Sequence, residues 1–311
     1  MSDLKTADMP SFRKWLTASR ALFSVTVVLP CLLGGVIAYH DGYVNIPIFV
    51  LALVGLFFSN IGANFTNDYY DYKSGVDALD RGGRQFKQGS EVLLKDGLAY
   101  DVARNSMAGS FLVAGGIGLY LIVFDDWRII FFALVGFAIA YFYTAPPVKL
   151  GYRGLGEIAS GLGSGPLPVM GTYFVLTHTV RADAVMASVC AGLLVASILY
   201  VGNVIDDDAD RQVGKKTLTV RLGRKAVRII GPAFYGAAYL TLVVGVLAGW
   251  LPLLSLLGLL TLPLTVRLLR LASKNFQSIP AYAPSIMMTV QVFAATTLLV
   301  AAGFVVDALL G

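Results

Sequence analysis

Nine long apolar stretches run through this chain and leave few folds open to it. They lie at about Leu22 to Tyr39, Ile46 to Ala63, Met107 to Phe124, Ile129 to Ala145, Ile158 to Thr177, Ala184 to Ile205, Ile229 to Leu247, Leu251 to Val266 and Ile286 to Leu309. Each is near the roughly 20 residues that carry a helix across a bilayer. The eighth, short and carrying Pro263, is the weakest. Hydrophobic residues make up 57% of the 311 and charged residues 14%, with a mean hydropathy of +0.72. That is far more apolar than a water-soluble domain of this length. The pattern predicts an all-α, multi-pass transmembrane bundle of about nine helices forming one domain over residues 1–311.

Charge sets the expected orientation. If all nine stretches cross, every one of the 24 Lys and Arg except Arg128 and Arg181 falls on the side of the N-terminus. The positive-inside rule then places the N-terminal segment 1–20 and the long loops 72–100 and 206–228 in the cytoplasm and the C-terminus outside, in a cell (inner) membrane. The net charge of +5 is read as this orientation signal and not as a nucleic-acid footprint. The first stretch is as long as a full span and lacks a small-residue cleavage site, which argues against a signal peptide. Trp15, Trp127 and Trp250 fall near expected interfaces, where amphipathic rings anchor. Cys31 and Cys190 lie inside spans and read as small core residues. His40 and His178 have no Cys or His at ligand spacing, so zinc is not expected.

Two acidic clusters stand at the ends of apolar helices on the expected cytoplasmic side. The first is Asn64-Phe65-Thr66-Asn67-Asp68-Tyr69-Tyr70-Asp71, continuing to Asp77, and the second is Asn203-Val204-Ile205-Asp206-Asp207-Asp208-Ala209-Asp210. On a helix, Asn64, Asp68 and Asp71 fall at i, i+4 and i+7, and Asn203, Asp206 and Asp210 at i, i+3 and i+7, so each set lines one face. Either cluster alone is explained by solvated residues beyond a helix end. Together with Asp80 they hold eight of the chain's 19 acidic residues. Like charges roughly 4 Å apart repel by about 4 kcal/mol at an effective dielectric of 20, so such crowding favours bound cations. Mg²⁺ combines a few carboxylates with phosphate oxygens, so two facing Mg²⁺ sites would clamp a diphosphate.

Nearby cations suit the same ligand. Lys149 and Arg153 follow Tyr143-Thr144-Ala145-Pro146-Pro147, and Lys215 follows the second cluster; all could meet an anionic leaving group, and all also serve as inside anchors. Gly214-Lys215-Lys216-Thr217 is no phosphate-binding loop, because Ala209 stands where the upstream glycine belongs and no strand precedes it. Gly161, Gly163, Gly165 and Gly171 with Pro166 and Pro168 permit close helix approach and predict a kink or break in the fifth span. An acidic cluster ending the second span and another ending the sixth, each followed by a basic loop, suggest two pseudo-repeated four-helix halves plus one helix.

These residues resemble the UbiA superfamily of intramembrane aromatic prenyltransferases, and the likeness covers nearly the whole chain. Asn67-Asp68-Tyr69-Tyr70-Asp71 is similar to the superfamily's first aspartate-rich motif and Asp206 through Asp210 to its second. Three features look most like the 1,4-dihydroxy-2-naphthoate polyprenyltransferase branch. They are the step from Asp71 to Asp77, the run Gly151-Tyr152-Arg153-Gly154-Leu155-Gly156-Glu157, and Asn203 to Asp210 leading to Gly214-Lys215-Lys216-Thr217-Leu218. Gly75 stands at the third acidic position of the common motif, so Asp77 must substitute if a third ligand is needed. Tyr143 through Leu150 is also similar to the chlorophyll synthase branch, so a chlorophyllide-like or 4-hydroxybenzoate acceptor stays open.

The resemblance implies Mg²⁺-dependent transfer of a prenyl group from a polyprenyl diphosphate to an aromatic acceptor, here 1,4-dihydroxy-2-naphthoate, with loss of its carboxylate, giving demethylmenaquinone. Asp68, Asp71, Asp206 and Asp210 would be catalytic, and these with Asp77 would bind two Mg²⁺. Asn64, Asn67, Asn203, Tyr70, Tyr143, Lys149, Arg153 and Lys215 would contact substrate, with the isoprenoid tail among the helices or open to lipid. The rival from another class is a cation-coupled transporter, which would favour acids near the membrane midplane; none is seen deep within the other spans.

Overall fold

In a computed structural model, residues 19–74 and 100–310 are described, and they form helices and turns with no strand among them. All nine apolar stretches fall on helical segments. They are α1 (Val25–His40), α2 (Ile46–Ser74), α3 (Tyr100–Phe124), α4 (Ile129–Phe142), α5 (Gly156–Ser164) with α6 (Pro166–Thr177), α7 (Ala182–Gln212), α9 (Val227–Leu247), a 3₁₀ run Leu253–Thr261 leading into α10 (Leu262–Asn275), and α12 (Pro284–Leu310). Two short helices, α8 (Leu218–Leu222) and α11 (Ile279–Tyr282), join them. Among the described residues, six helical runs are long and apolar enough to cross a membrane. The helices α1 and α4 are shorter, at 16 and 14 residues. With no water in the hydrocarbon layer, a helix satisfies its own backbone groups, which explains why these stretches adopt nothing else.

The fifth stretch is broken, where its Gly and Pro content predicted a kink or break. The helix α5 ends at Gly165, and Pro166 opens α6 at the first helical position, where its missing N–H costs nothing. This junction packs on α7: a Cβ on Gly165 would run into the backbone of Gly192, and one on Gly161 would come 2.9 Å from the Gly192 carbonyl oxygen. The helix α7 is the most enclosed of the long helices, touching α1, α5, α6, α8, α9 and α12. It is helical to Gln212, so most of the second acidic cluster's loop start is helix, and α2 likewise continues to Ser74.

The outside of the bundle carries many large apolar side chains. Leu112, Phe131, Ile229, Leu247 and Leu309 all face outward, Leu247 at 82% exposure. A water-soluble protein does not present contiguous apolar surface on this scale, and this is an integral membrane protein. Trp127 and Trp250 are exposed beside helix ends, and Cys31 and Cys190 are buried free thiols. His40 and His178 pair with carboxylates, His40 Nε2 with Asp307 at 3.1 Å and His178 Nδ1 with Asp126 at 3.4 Å.

Candidate active site

The acidic-cluster ends of α2 and α7 line one cavity of about 350 Å³. From α2 come Asn64, Asn67 and Asp71, and from α7 come Gly202, Asn203, Asp206 and Asp210. Tyr143, Thr144, Gly151 and Tyr152 close one side, Lys215 and Thr217 another, and Arg20, Phe23 and Thr26 a third. Val195, Ile198 and Leu199, further along α7, give it an apolar wall.

Asp71 has both oxygens engaged. Tyr152 donates its hydroxyl to Oδ1 at 2.7 Å, and the Lys215 ammonium donates to Oδ2 at 3.2 Å. Lys215 also stands 3.6 Å from Asp210 Oδ1, so one cation bridges the two acidic helices. Burial works against that charge, but Asp71 and Asp210 outweigh it and hold the Lys215 pKa above the ordinary lysine value. Two ammonium groups stand against the Tyr152 ring, Lys149 Nζ 5.0 Å and Lys215 Nζ 4.8 Å from its centroid. Burial, then the neighbouring Asp71 charge, push the Tyr152 hydroxyl pKa upward, so it remains a donor.

Asp68 is not among the residues that line this cavity. Its side chain is 1% exposed and accepts from Arg20 Nη2. The face of α2 that lines the cavity thus carries Asn67 in place of Asp68, still at i, i+3 and i+7. Asp207 and Asp208 are also compensated by cations, Asp207 by Arg211 at 3.1 Å and Arg224 at 3.5 Å, and Asp208 by Arg224 at 3.0 Å. Crowding in the second cluster is relieved partly by arginine, not only by a ligand. Tyr70 bonds the Tyr141 hydroxyl at 3.0 Å, and Arg153 donates to the Pro147 carbonyl at 2.9 Å; neither lines the cavity. Asp77 lies outside the described residues.

Among the described residues no three His, Cys, Asp or Glu side chains gather around one point. The donor set facing the cavity is Asp71, Asp206 and Asp210 with the carboxamides Asn67 and Asn203. These are hard oxygen ligands, and the Lys215 ammonium already shows that Asp71 and Asp210 can share one positive charge. The three carboxylates with Asn67 fit Mg²⁺ that keeps open positions for phosphate oxygens.

Three residues at the site carried weaker sequence signals. Arg20 reads as an inside anchor, Tyr152 as a loop residue, and Glu157 as the end of a glycine-rich run. Glu157 is in fact 1% exposed in the first turn of α5, accepting from Asn203 Nδ2 at 2.9 Å. An acid immediately before an apolar span is the signal that could have found it.

The chain is similar to 1,4-dihydroxy-2-naphthoate octaprenyltransferase from Escherichia coli, 29% identical over 93% of this chain and 94% of that one. It is 31% identical to the enzyme of the same name from Mycobacterium leprae, over 84% and 86% of the two chains. Among solved structures, a UbiA homologue from Aeropyrum pernix superposes with a TM-score of 0.68 at 17% identity, over 93% of this chain and 98% of that one. Another, from Archaeoglobus fulgidus bound to GPP and Mg²⁺, superposes at 0.62 with 16% identity, over 92% and 99%. The profile of the UbiA prenyltransferase family matches residues 27–289, a span that contains both acidic helices and every element between them, and the chain belongs to that family.

Proposed function

We propose that this protein transfers a polyprenyl group from its diphosphate to 1,4-dihydroxy-2-naphthoate, at the cytoplasmic side of the membrane. The observation that carries the reading is the one cavity shared by Asp71 of α2 and Asp206 and Asp210 of α7, polar around these carboxylates and apolar along Val195, Ile198 and Leu199. A ligand with an anionic head and an isoprenoid tail matches that gradient, since each buried CH₂ contributes about 0.8 kcal/mol. The names of the curated relatives support naphthoate as the acceptor.

Asp71, Asp206 and Asp210, with Asn67, would hold Mg²⁺, which when bound neutralises a diphosphate and stabilises the charge it gathers on leaving. Two ions suit two acidic faces. Lys215 is free to turn from Asp71 and Asp210 onto a diphosphate oxygen, and Tyr152 keeps Asp71 oriented as it does so. The C1–O bond of the prenyl diphosphate breaks with its electron pair leaving on diphosphate. The ring carbon bearing the carboxylate attacks C1, and CO₂ departs to restore the aromatic ring, giving the quinol form of a demethylmenaquinone. Tyr143 presents an aromatic ring to the cavity, where it can shield the allylic cation from water. No observation favours the transporter reading.

The test is turnover. Protein in lipid nanodiscs, given Mg²⁺, a prenyl diphosphate and 1,4-dihydroxy-2-naphthoate, should release diphosphate and CO₂ and form one prenylated ring. Diphosphate release without prenylated product, or transfer only to 4-hydroxybenzoate or a chlorophyllide, would overturn the acceptor assignment.

A further inference from the structure

The buried acid Glu157 has no place in the chemistry above, and its geometry assigns it one. It is 1% exposed, and its Oε1 accepts from Asn203 Nδ2 at 2.9 Å. Among the described residues nothing donates to its second oxygen, and the fully buried Tyr200 hydroxyl, on the same face of α7 three residues before Asn203, also has no hydrogen-bond partner. Glu157 itself does not line the cavity, whereas Asn203 does. A buried carboxylate without a cation costs stability, so its retention here calls for a reason.

Its hydrogen-bonding chemistry supplies the reason. A carboxylate only accepts, so the amide that meets it must turn its nitrogen inward. Asn203 is therefore held with its carbonyl Oδ1 as the group presented to the cavity. Asn203 lies nearly one helical turn before Asp206 on α7, between the carboxylates that face the diphosphate and the apolar residues Ile198 and Leu199. A ring attacking C1 of the departing prenyl group must sit at that boundary. An oriented carbonyl there recognises an O–H donor on the ring and rejects a ring without one, because an unmatched buried polar group is costly.

We infer that Glu157 is a positioning residue for acceptor specificity: it locks the Asn203 amide so that its carbonyl accepts a hydroxyl of the aromatic acceptor. The inference rests on prenyl transfer to a hydroxylated ring. A purely structural role for Glu157, as an acid favoured in the first turn of α5, would affect every acceptor alike.

The experiment compares wild type, Glu157→Gln and Asn203→Ala in nanodiscs, with Mg²⁺ and geranyl diphosphate as donor. The acceptors are 1,4-dihydroxy-2-naphthoate and its two mono-O-methyl ethers. A glutamine can donate and so frees the Asn203 amide to turn. The KM for the dihydroxy acceptor should rise about tenfold in Glu157→Gln, the scale of one lost hydrogen bond, with the KM for geranyl diphosphate unchanged. With one of the two ethers the variant and wild type should be equal, and adding Glu157→Gln to Asn203→Ala should cause no further loss. A penalty equal across all three acceptors, a change confined to the donor KM, or additive losses in the double variant would each overturn the inference. If Glu157→Gln does not fold, Asn203→Ala alone must show the same ether-selective loss. Wild type that transfers to no ring at all would instead refute the functional reading, and the inference would fall with it.

Discussion

Asp71 and Asp68 sit three residues apart, yet their surroundings assign them different work. Asp71 faces Lys215 and Tyr152 in the cavity, whereas Asp68 is sealed against Arg20. Replacing Asp71 or Asp206 with Ala should abolish turnover while leaving membrane insertion intact, read by product formation and by yield of folded protein in detergent. Arg20→Ala removes one cation from a buried carboxylate; because Arg20 is itself 28% exposed, the loss should be about 2 kcal/mol, below that of a fully buried pair. It should be measured as a lower unfolding temperature, and an unchanged one would show that the Arg20 contact adds nothing to stability. Tyr152→Phe removes one donor from Asp71 and should lower kcat more than it raises the donor KM. Spacing alone could not separate Asp68 from Asn67. Both sets, Asn64 with Asp68 and Asp71 or Asn64 with Asn67 and Asp71, satisfy helical periodicity, and the contact of Asp68 with Arg20, from the segment ahead of α1, is tertiary and does not show along the chain.

At the scale of elements, the break between α5 and α6 positions the site. It lets α5 lie along α7 with Gly161 and Gly165 against Gly192, and this contact brings Glu157 to Asn203. Gly165→Ala must push α5 off the Gly192 backbone. It should destabilise the protein by roughly 1–3 kcal/mol, as overpacking does, and should weaken the acceptor KM along with it. Equal stability and kinetics would mean the junction yields freely. The apolar stretches and the broken fifth span were legible in sequence because hydropathy and Gly/Pro chemistry are local. The helical continuation of α2 to Ser74 and of α7 to Gln212 was harder to read, since polar residues there suggested loop. Helix persists because Lys215, Asp71 and Asp210 tie the two ends together, a tertiary cause invisible along the chain. The pairing of Asp207 and Asp208 with Arg211 and Arg224 was hidden for the same reason.

For the whole molecule, an apolar exterior and a one-sided polar cavity define how the protein sits in a membrane. By the positive-inside rule, the skew of Lys and Arg predicts that cavity on the cytoplasmic side. Single cysteines at exposed Asp208 and Thr179 should be labelled by an impermeant maleimide from opposite faces of sealed vesicles, Asp208 only from the cytoplasmic face. Cys31 and Cys190 are buried and should contribute little background. The account as a whole depends on α2 and α7 jointly holding one metal–diphosphate unit. The most direct measurement is electron paramagnetic resonance of Mn²⁺ bound with pyrophosphate to wild type, Asp71→Ala and Asp206→Ala. Ternary binding should be present in wild type and lost in both variants, because each removes one of the two walls; pyrophosphate and Mn²⁺ bound with wild-type affinity after either substitution would contradict it.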